Sequence, residues 1–132
     1  MASREEFVRK IDEAYAHRVA GHKEALGAMM APDATFRIAG ESLPLPGVPT
    51  QGLAAMKLAG LIDNFQFHKV ERLDAIVEGD KAAVRSRVVL SSEDRPETTA
   101  ELYDLWTMGP DGKFTSLTQF CDAALIAWLI SR

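Results

Sequence analysis

Apolar residues change their rhythm part-way along the chain, and that change predicts the order of its elements. Phe7, Ile11, Ala14, Tyr15 and Val19 recur at three- and four-residue intervals, the spacing of one helix face. Ser3 and Glu6 precede most of them with the spacing of a capping box, and Gly21 supplies a stop. A shorter helix is predicted over residues 22–30, closed by Pro32, with a short strand over 35–38. Residues 40–51 contain Pro44, Pro46, Pro49 and Gly47. That composition sustains neither a helix nor a strand, so a loop bordering a pocket entrance is expected, a candidate lid. Leu53, Met56, Ala59, Gly60 and Leu61 then share one side of a helix predicted over 52–64, capped by Thr50.

From Phe67 the apolar period shortens to two. Strands are predicted over residues 67–77, 82–90, 97–108 and 114–121, separated by turns at Glu-Gly-Asp-Lys, Ser-Glu-Asp-Arg-Pro and Gly-Pro-Asp-Gly-Lys. Strands this closely spaced favour an antiparallel meander. Helices first and strands later make the class α+β, with the helices packed on one face of a curved, mainly antiparallel β-sheet. In the third strand, alternation sends Leu102, Asp104, Trp106 and Met108 to one face and Tyr103, Leu105 and Thr107 to the other. A carboxylate between Leu and Trp on a dry face must find a partner or take up a proton. Two placements are open: Asp104 faces a pocket, or it lies outside and pairs with Arg85 or Arg87 across the sheet.

Composition removes several classes of function. A chain of 132 residues, 47% hydrophobic and 26% charged, suits one water-soluble domain over residues 1–132. A net charge of −4 with scattered Lys and Arg argues against a nucleic-acid partner. Cys121 is the sole cysteine and has no internal disulfide partner, and MASREEFVRK has no signal-type apolar run, so a cytoplasmic location is expected. The apolar stretch over 123–130 is too short to cross a bilayer and is expected to pack on the core or on a partner; no membrane association is expected. His17, His22 and His68 lack metal-ligand spacing, and no glycine motif for a phosphate or dinucleotide is present. Neither a metal nor a cofactor is expected, and Cys121 reads as a structural thiol.

Four segments carry a family resemblance: the first helix with Tyr15, the run ALGAMMAPDATF, the hairpin EGDKAAVRSRV, and DLWTMGPDGKFTSLTQFCD. Together they resemble the nuclear-transport-factor-2-like superfamily, in its branch of ketosteroid isomerases and SnoaL-like polyketide cyclases, over nearly the whole chain. The resemblance implies a cone-shaped, cystatin-like fold whose open end holds a small apolar molecule, and a homodimer formed through the exposed sheet face, with Leu125, Trp128 and Leu129 helping to cover it or the cone base. It also implies that Tyr15 stands where the isomerases place an oxyanion-hole tyrosine, and Asp104 where they keep a neutral carboxylic acid as second donor. Their general base falls three residues after Thr35, which is Ile38 in this chain, an aliphatic residue. Glu41, in the following loop, is a candidate substitute. Asp122 corresponds to a working carboxylate of related epoxide hydrolases and cyclases, with the N-cap of residues 123–130 as its alternative role. The Arg and Asp that hydrolases pair with it are not matched by Arg85, Ser86 and Arg87.

Two classes of function remain. One is a cofactor-free isomerase, cyclase or dehydratase in which Tyr15 and Asp104 stabilise an enolate-like intermediate and Asp122 or Glu41 moves the proton. The other is a non-catalytic ligand-binding or dimeric interaction module of the same fold. Met30, Phe36, Met56, Trp106 and Met108 are the candidate substrate contacts, although Met and aromatic residues at such spacings also build ordinary cores.

Overall fold

The computed structural model describes residues 3–39 and 53–130. Thr50, Glu41 and the proline-bearing loop over 40–51 lie outside them. Helix α1 (Arg4–Ala20) opens as the capping box predicts, the Glu6 amide donating to Ser3 Oγ at 3.1 Å. It closes on Gly21 in the left-handed conformation, φ 74°, a region that costs other residues strain. Its buried stripe is Phe7, Val8, Ile11, Ala14, Tyr15 and Arg18. Val19, expected on that stripe, is 37% exposed, and Arg18 takes its place. Residue 18 lies three, four and seven positions after residues 15, 14 and 11, so it continues the helical phase better than residue 19.

Helix α2 (Lys23–Ala28) is shorter than expected, and strand β1 (Met30–Ile38) longer. Pro32 does not close the helix; it lies within β1. This is tolerated because β1 is an edge strand and its pairing shifts register between Met30 and Thr35, where the missing N–H breaks no ladder bond. Helix α3 (Ala54–Asn64) begins at an N-cap, Leu53, that makes no side-chain cap bond. Its buried face is Ala54, Leu58, Gly60, Leu61 and Ile62, whereas Leu53 and Met56 are exposed.

The strands β2 (Phe65–Glu78), β3 (Lys81–Ser92), β4 (Arg95–Met108) and β5 (Phe114–Phe120) form the predicted antiparallel meander, and β1 joins its far edge parallel to β5. The order is β1-β5-β4-β3-β2 in one curved mixed sheet. The fold is α+β, helices followed by sheet. Alternation along β3 buries Ala82, Val84, Ser86, Val88 and Leu90, and along β4 buries Leu102, Asp104, Trp106 and Met108. The α1 stripe lies over these inner residues: Phe7 meets Phe114 with ring centroids 6.2 Å apart, and Trp106 meets Phe114 at 4.6 Å. Burying each such side chain stabilises the fold by roughly 1.5–3 kcal/mol.

Helix α4 (Ala123–Ile130) folds back against β3 and β4. Leu129 is fully buried and its carbonyl accepts from Ser92 Oγ at 2.5 Å, while Trp128 stays 40% exposed. Among the described residues no helix is long and apolar enough to cross a membrane. The outer sheet face is laced with ion pairs, Arg87 with Glu71 at 3.1 Å and Arg85 with Glu101 at 3.4 Å. It also carries exposed Ile76, Tyr103, Leu105 and Phe120.

Candidate functional site

The helices and the concave sheet face enclose a cavity with about 50 Å³ of open space, room for a few water molecules as it stands. Its walls are mainly apolar, with Phe36, Ile38, Leu58, Leu102, Trp106 and Leu117 prominent among them. Polarity enters the lining through Tyr15 and Arg18 from α1, Asp104 and the Trp106 indole N–H from β4, Gln119 from β5 and the Cys121 thiol.

The structure brings Tyr15 and Asp104 together. The Tyr15 hydroxyl donates to Asp104 Oδ2 at 2.5 Å, 89 residues apart in sequence. Both side chains are buried, Asp104 at 2% exposure and Tyr15 at 7%. Trp106 holds the phenol ring edge-on, with centroids 5.7 Å apart and planes at 86°, a geometry that contributes about 1 kcal/mol beyond area burial. Arg85 and Arg87 are engaged with Glu101 and Glu71 on the outer face, so the alternative cross-sheet pairing of Asp104 is not the one adopted.

Burial dominates the titration of the pair. It pushes the Asp104 carboxyl up to about 6, although the Tyr15 hydrogen bond favours the charged form, as does nearby Gln119, its register partner on β5. The same burial, followed by the Asp104 charge and hydrogen bond, moves the Tyr15 phenol well above its ordinary value, while Trp106 and Ser86 pull the other way. Tyr15 therefore remains a neutral donor across the working pH range, and Asp104 is the group that changes charge.

Three buried polar atoms at this place have no hydrogen-bond partner among the described residues: Asp104 Oδ1, Ser86 Oγ and Trp106 Nε1. An unsatisfied buried polar atom costs roughly 1–3 kcal/mol; Asp104 and Trp106 line the cavity, so Oδ1 can accept from a ligand and Nε1 can donate to one, whereas Ser86 lies outside the described lining. Ser86 lies one residue pair diagonally from Asp104 across the β3–β4 ladder, since Val84 faces Asp104 and Ser86 faces Leu102. Sequence reasoning passed over Ser86 and treated Trp106 as apolar only. The alternation that placed Asp104 inward also places Ser86 inward, so its signal was present.

The other candidates divide. Phe36 and Trp106 line the cavity. Met30 and Met108 are buried core residues outside its described lining, and Met56 is 56% exposed on the outer side of α3. Helical phase turns Met56 outward, whereas Met30 and Met108 share the inward phase of Phe36 and Trp106 and lie at the ends of β1 and β4. Ile38 lines the wall at 8% exposure and offers no proton acceptor. Asp122 is exposed and caps α4, its Oδ1 accepting from the Ala124 amide at 2.9 Å and the Leu125 amide at 3.2 Å. It is not among the described lining residues. Cys121 does line the cavity, with its thiol pushed up by burial and then by the charges of Asp104 and Asp122, the opposite of activation. No three His, Cys, Asp or Glu side chains cluster as metal ligands among the described residues.

The profile of the SnoaL-like domain matches residues 9–117, from α1 through β5. The chain belongs to the SnoaL-like family. Solved structures agree on the fold. A nuclear-transport-factor-2-like protein of unknown function from Burkholderia pseudomallei superposes with a TM-score of 0.77 at 14% identity, covering 100% of both chains. TerC, co-crystallised with polyporic acid, gives 0.75 at 21% identity, with 95% of this chain and 98% of that one covered. SalBIII, an epoxide hydrolase/cyclase-like enzyme in pyran ring formation of the polyether salinomycin, gives 0.72 at 17% identity over 94% and 96%. A search of curated protein sequences finds no match.

Two outcomes are expected from this geometry. A folded-state carboxyl raised from 3.8 to about 6 carries no penalty below its unfolded value. The penalty grows between the two values and is complete above the folded one. At about 1.4 kcal/mol per unit it reaches about 3 kcal/mol. Asp104→Asn, which removes the charge, should therefore gain stability relative to the unmodified chain as pH rises from 4 to 7.5. Urea melts at both pH values measure this; an unchanged difference would show that Asp104 is not held in a dry site. Asp122→Ala should lose about 1 kcal/mol of stability through the missing cap and leave ligand affinity unaltered. A fall in affinity without a fall in stability would instead place Asp122 in the chemistry.

Proposed function

We propose that this SnoaL-like domain binds a small, largely apolar carbonyl compound and acts on it without a cofactor, as an isomerase, cyclase or dehydratase. The observation that carries the reading is the buried Tyr15 hydroxyl 2.5 Å from an Asp104 carboxyl that titrates near neutrality, at the wall of an apolar cavity. As a proton leaves the carbon beside the carbonyl, negative charge builds on the oxygen. Donors already fixed in a dry site stabilise that charge more than water does. While Asp104 is ionised it holds the single Tyr15 proton; once Asp104 has taken up a proton its carboxyl donates to the phenol oxygen and the Tyr15 proton is freed for the ligand oxygen, with Trp106 Nε1 close by.

Asp104 is the single carboxylate in the described lining, so in this reading it also moves the proton. Ionised, its unpartnered Oδ1 accepts; protonated, it donates back. A pKa of about 6 suits both directions near neutral pH. Solved relatives of the fold support the reaction class, since SalBIII is described through ring formation.

A second reading is ligand binding without turnover. Ile38 at the position of the isomerases' base favours it, as does the small open space, which obliges any ring-sized ligand to displace lining side chains. The exposed apolar strip of Ile76, Tyr103, Leu105 and Phe120 fits a homodimer through the outer sheet face.

An enolate mimic tests the first reading. 4-Nitrophenolate should bind the cavity, and Tyr15→Phe should weaken it by roughly 1–3 kcal/mol through loss of a donor to a charged acceptor. Equal affinity in both proteins by calorimetry would remove Tyr15 from the site and leave the binding-module reading. For the assembly, light scattering at micromolar concentration should give twice the monomer mass, and Tyr103→Glu with Phe120→Glu should return it to the monomer value.

A further inference from the structure

Arg18 is the buried charge that the reading above leaves unused. It follows Tyr15 by one turn of α1, is 8% exposed, and lines the same cavity. Its guanidinium forms no ion pair among the described residues. Nη2 donates to the carbonyls of Phe65 at 2.6 Å and Leu61 at 3.2 Å, and the cation lies 3.9 Å from the centroid of the Phe67 ring. Those contacts use one nitrogen. Nε and Nη1 make no hydrogen bond among the described residues.

A tie between α1 and the end of α3 explains the two carbonyl bonds and does not explain the charge. A neutral amide donor would serve the carbonyls without the cost of burying a cation. That cost is visible in the titration, since burial lowers the guanidinium to about 9. Nη2, shared by both two-pronged edges of the guanidinium, is spent on the carbonyls, so Nε and Nη1 each offer a single charge-assisted donor to a carboxylate oxygen in a lining that is mainly apolar. Among the described lining residues the other charged group is Asp104, bonded to Tyr15.

We propose that Arg18 forms an anion-binding end of the cavity, and that the ligand is a small apolar organic acid whose carboxylate pairs with the guanidinium. This rests on the cavity being the ligand site, with the carbonyl or enol oxygen directed to Tyr15 and Asp104. The pairing gives Arg18 a counter-charge that no described residue supplies, orients the ligand, and selects acids over their neutral esters and amides. It narrows the substrate class of the proposed reaction to oxo- or hydroxy-acids with an apolar skeleton.

Benzoate and benzamide, matched in shape and differing in charge, make the test by calorimetry at pH 7. The intact chain should bind benzoate roughly tenfold or more tightly than benzamide, the effect of a charge-assisted pair in a dry site. Arg18→Met, which keeps an apolar stem, should remove that preference, and Arg18→Lys should restore part of it. Because loss of the two carbonyl bonds can unfold Arg18→Met, the intact chain supplies a second readout. Benzoate should shift the Arg18 Nε resonance in a nitrogen-15 NMR titration and benzamide should not. Equal affinities for acid and amide, or a preference that persists in Arg18→Met, would overturn the proposal. Tyr15→Phe separates the two readings. An acid preference that stands while 4-nitrophenolate ignores Tyr15→Phe overturns the carbonyl chemistry and leaves the anion end intact. A missing acid preference with 4-nitrophenolate still sensitive to Tyr15→Phe does the reverse. Absence of binding by all three probes overturns both.

Discussion

The hydrogen bond between Tyr15 and Asp104 is the interaction around which the inner face is arranged. It joins the C-terminal half of α1 to the C-terminal half of β4, and it does so with a carboxyl that the surrounding apolar residues disfavour as an ion. Every neighbour bears on that balance. Trp106 holds the phenol ring edge-on, Val84 and Leu102 exclude water, and Gln119 draws the carboxyl toward its charged form without removing the cost of burial. The site is thus a place where the fold forgoes stability. The remainder of the core, an aromatic cluster of Phe7, Trp106 and Phe114 with aliphatic side chains around it, offsets that cost.

A cost of about 3 kcal/mol for one carboxyl is a large share of the 5–15 kcal/mol that holds an ordinary domain together. Arg18, on α1, adds a second buried charge with its own penalty. The two are not paired with each other, which would have relieved both. Two buried groups of opposite sign in one cavity, neither with an ion-pair partner among the described residues, are poor design for stability alone. In the proposed reading a partly anionic ligand would supply the interactions that these residues do not.

Ile38 and Asp122 set the limits of the analogy with steroid isomerases and epoxide hydrolases. An aliphatic side chain at the wall removes the second proton carrier that the resemblance implies, and Asp122 spends its acceptor on the amides that begin α4. In the proposed reaction, acid–base work in the described lining falls on Asp104. A carboxyl at about 6 can take a proton and return it, which suits short proton transfers within reach of one group.

By itself the sequence determined the element order, the α+β class and the inward phase of β4, because strand and helix periods are local properties of the chain. Ser3, Gly21 and the turn glycines set boundaries for the same reason, and Asp104 could be singled out because a carboxyl between Leu102 and Trp106 violates the local pattern. Position 18 shows where local reading gave way: a helix stripe read by hydrophobicity selects Val19, whereas the phase of packed residues selects Arg18, and an arginine is recognised as buried only when carbonyls from α3 and β2 are seen to meet it. Pro32 within β1 is the same lesson for the backbone, since its tolerance depends on β1 being an edge strand. Contacts between residues 89 positions apart, such as Tyr15 with Asp104, and the pKa values that follow from them, belong to the tertiary structure alone, because burial and proximity are properties of the packed molecule and not of any segment.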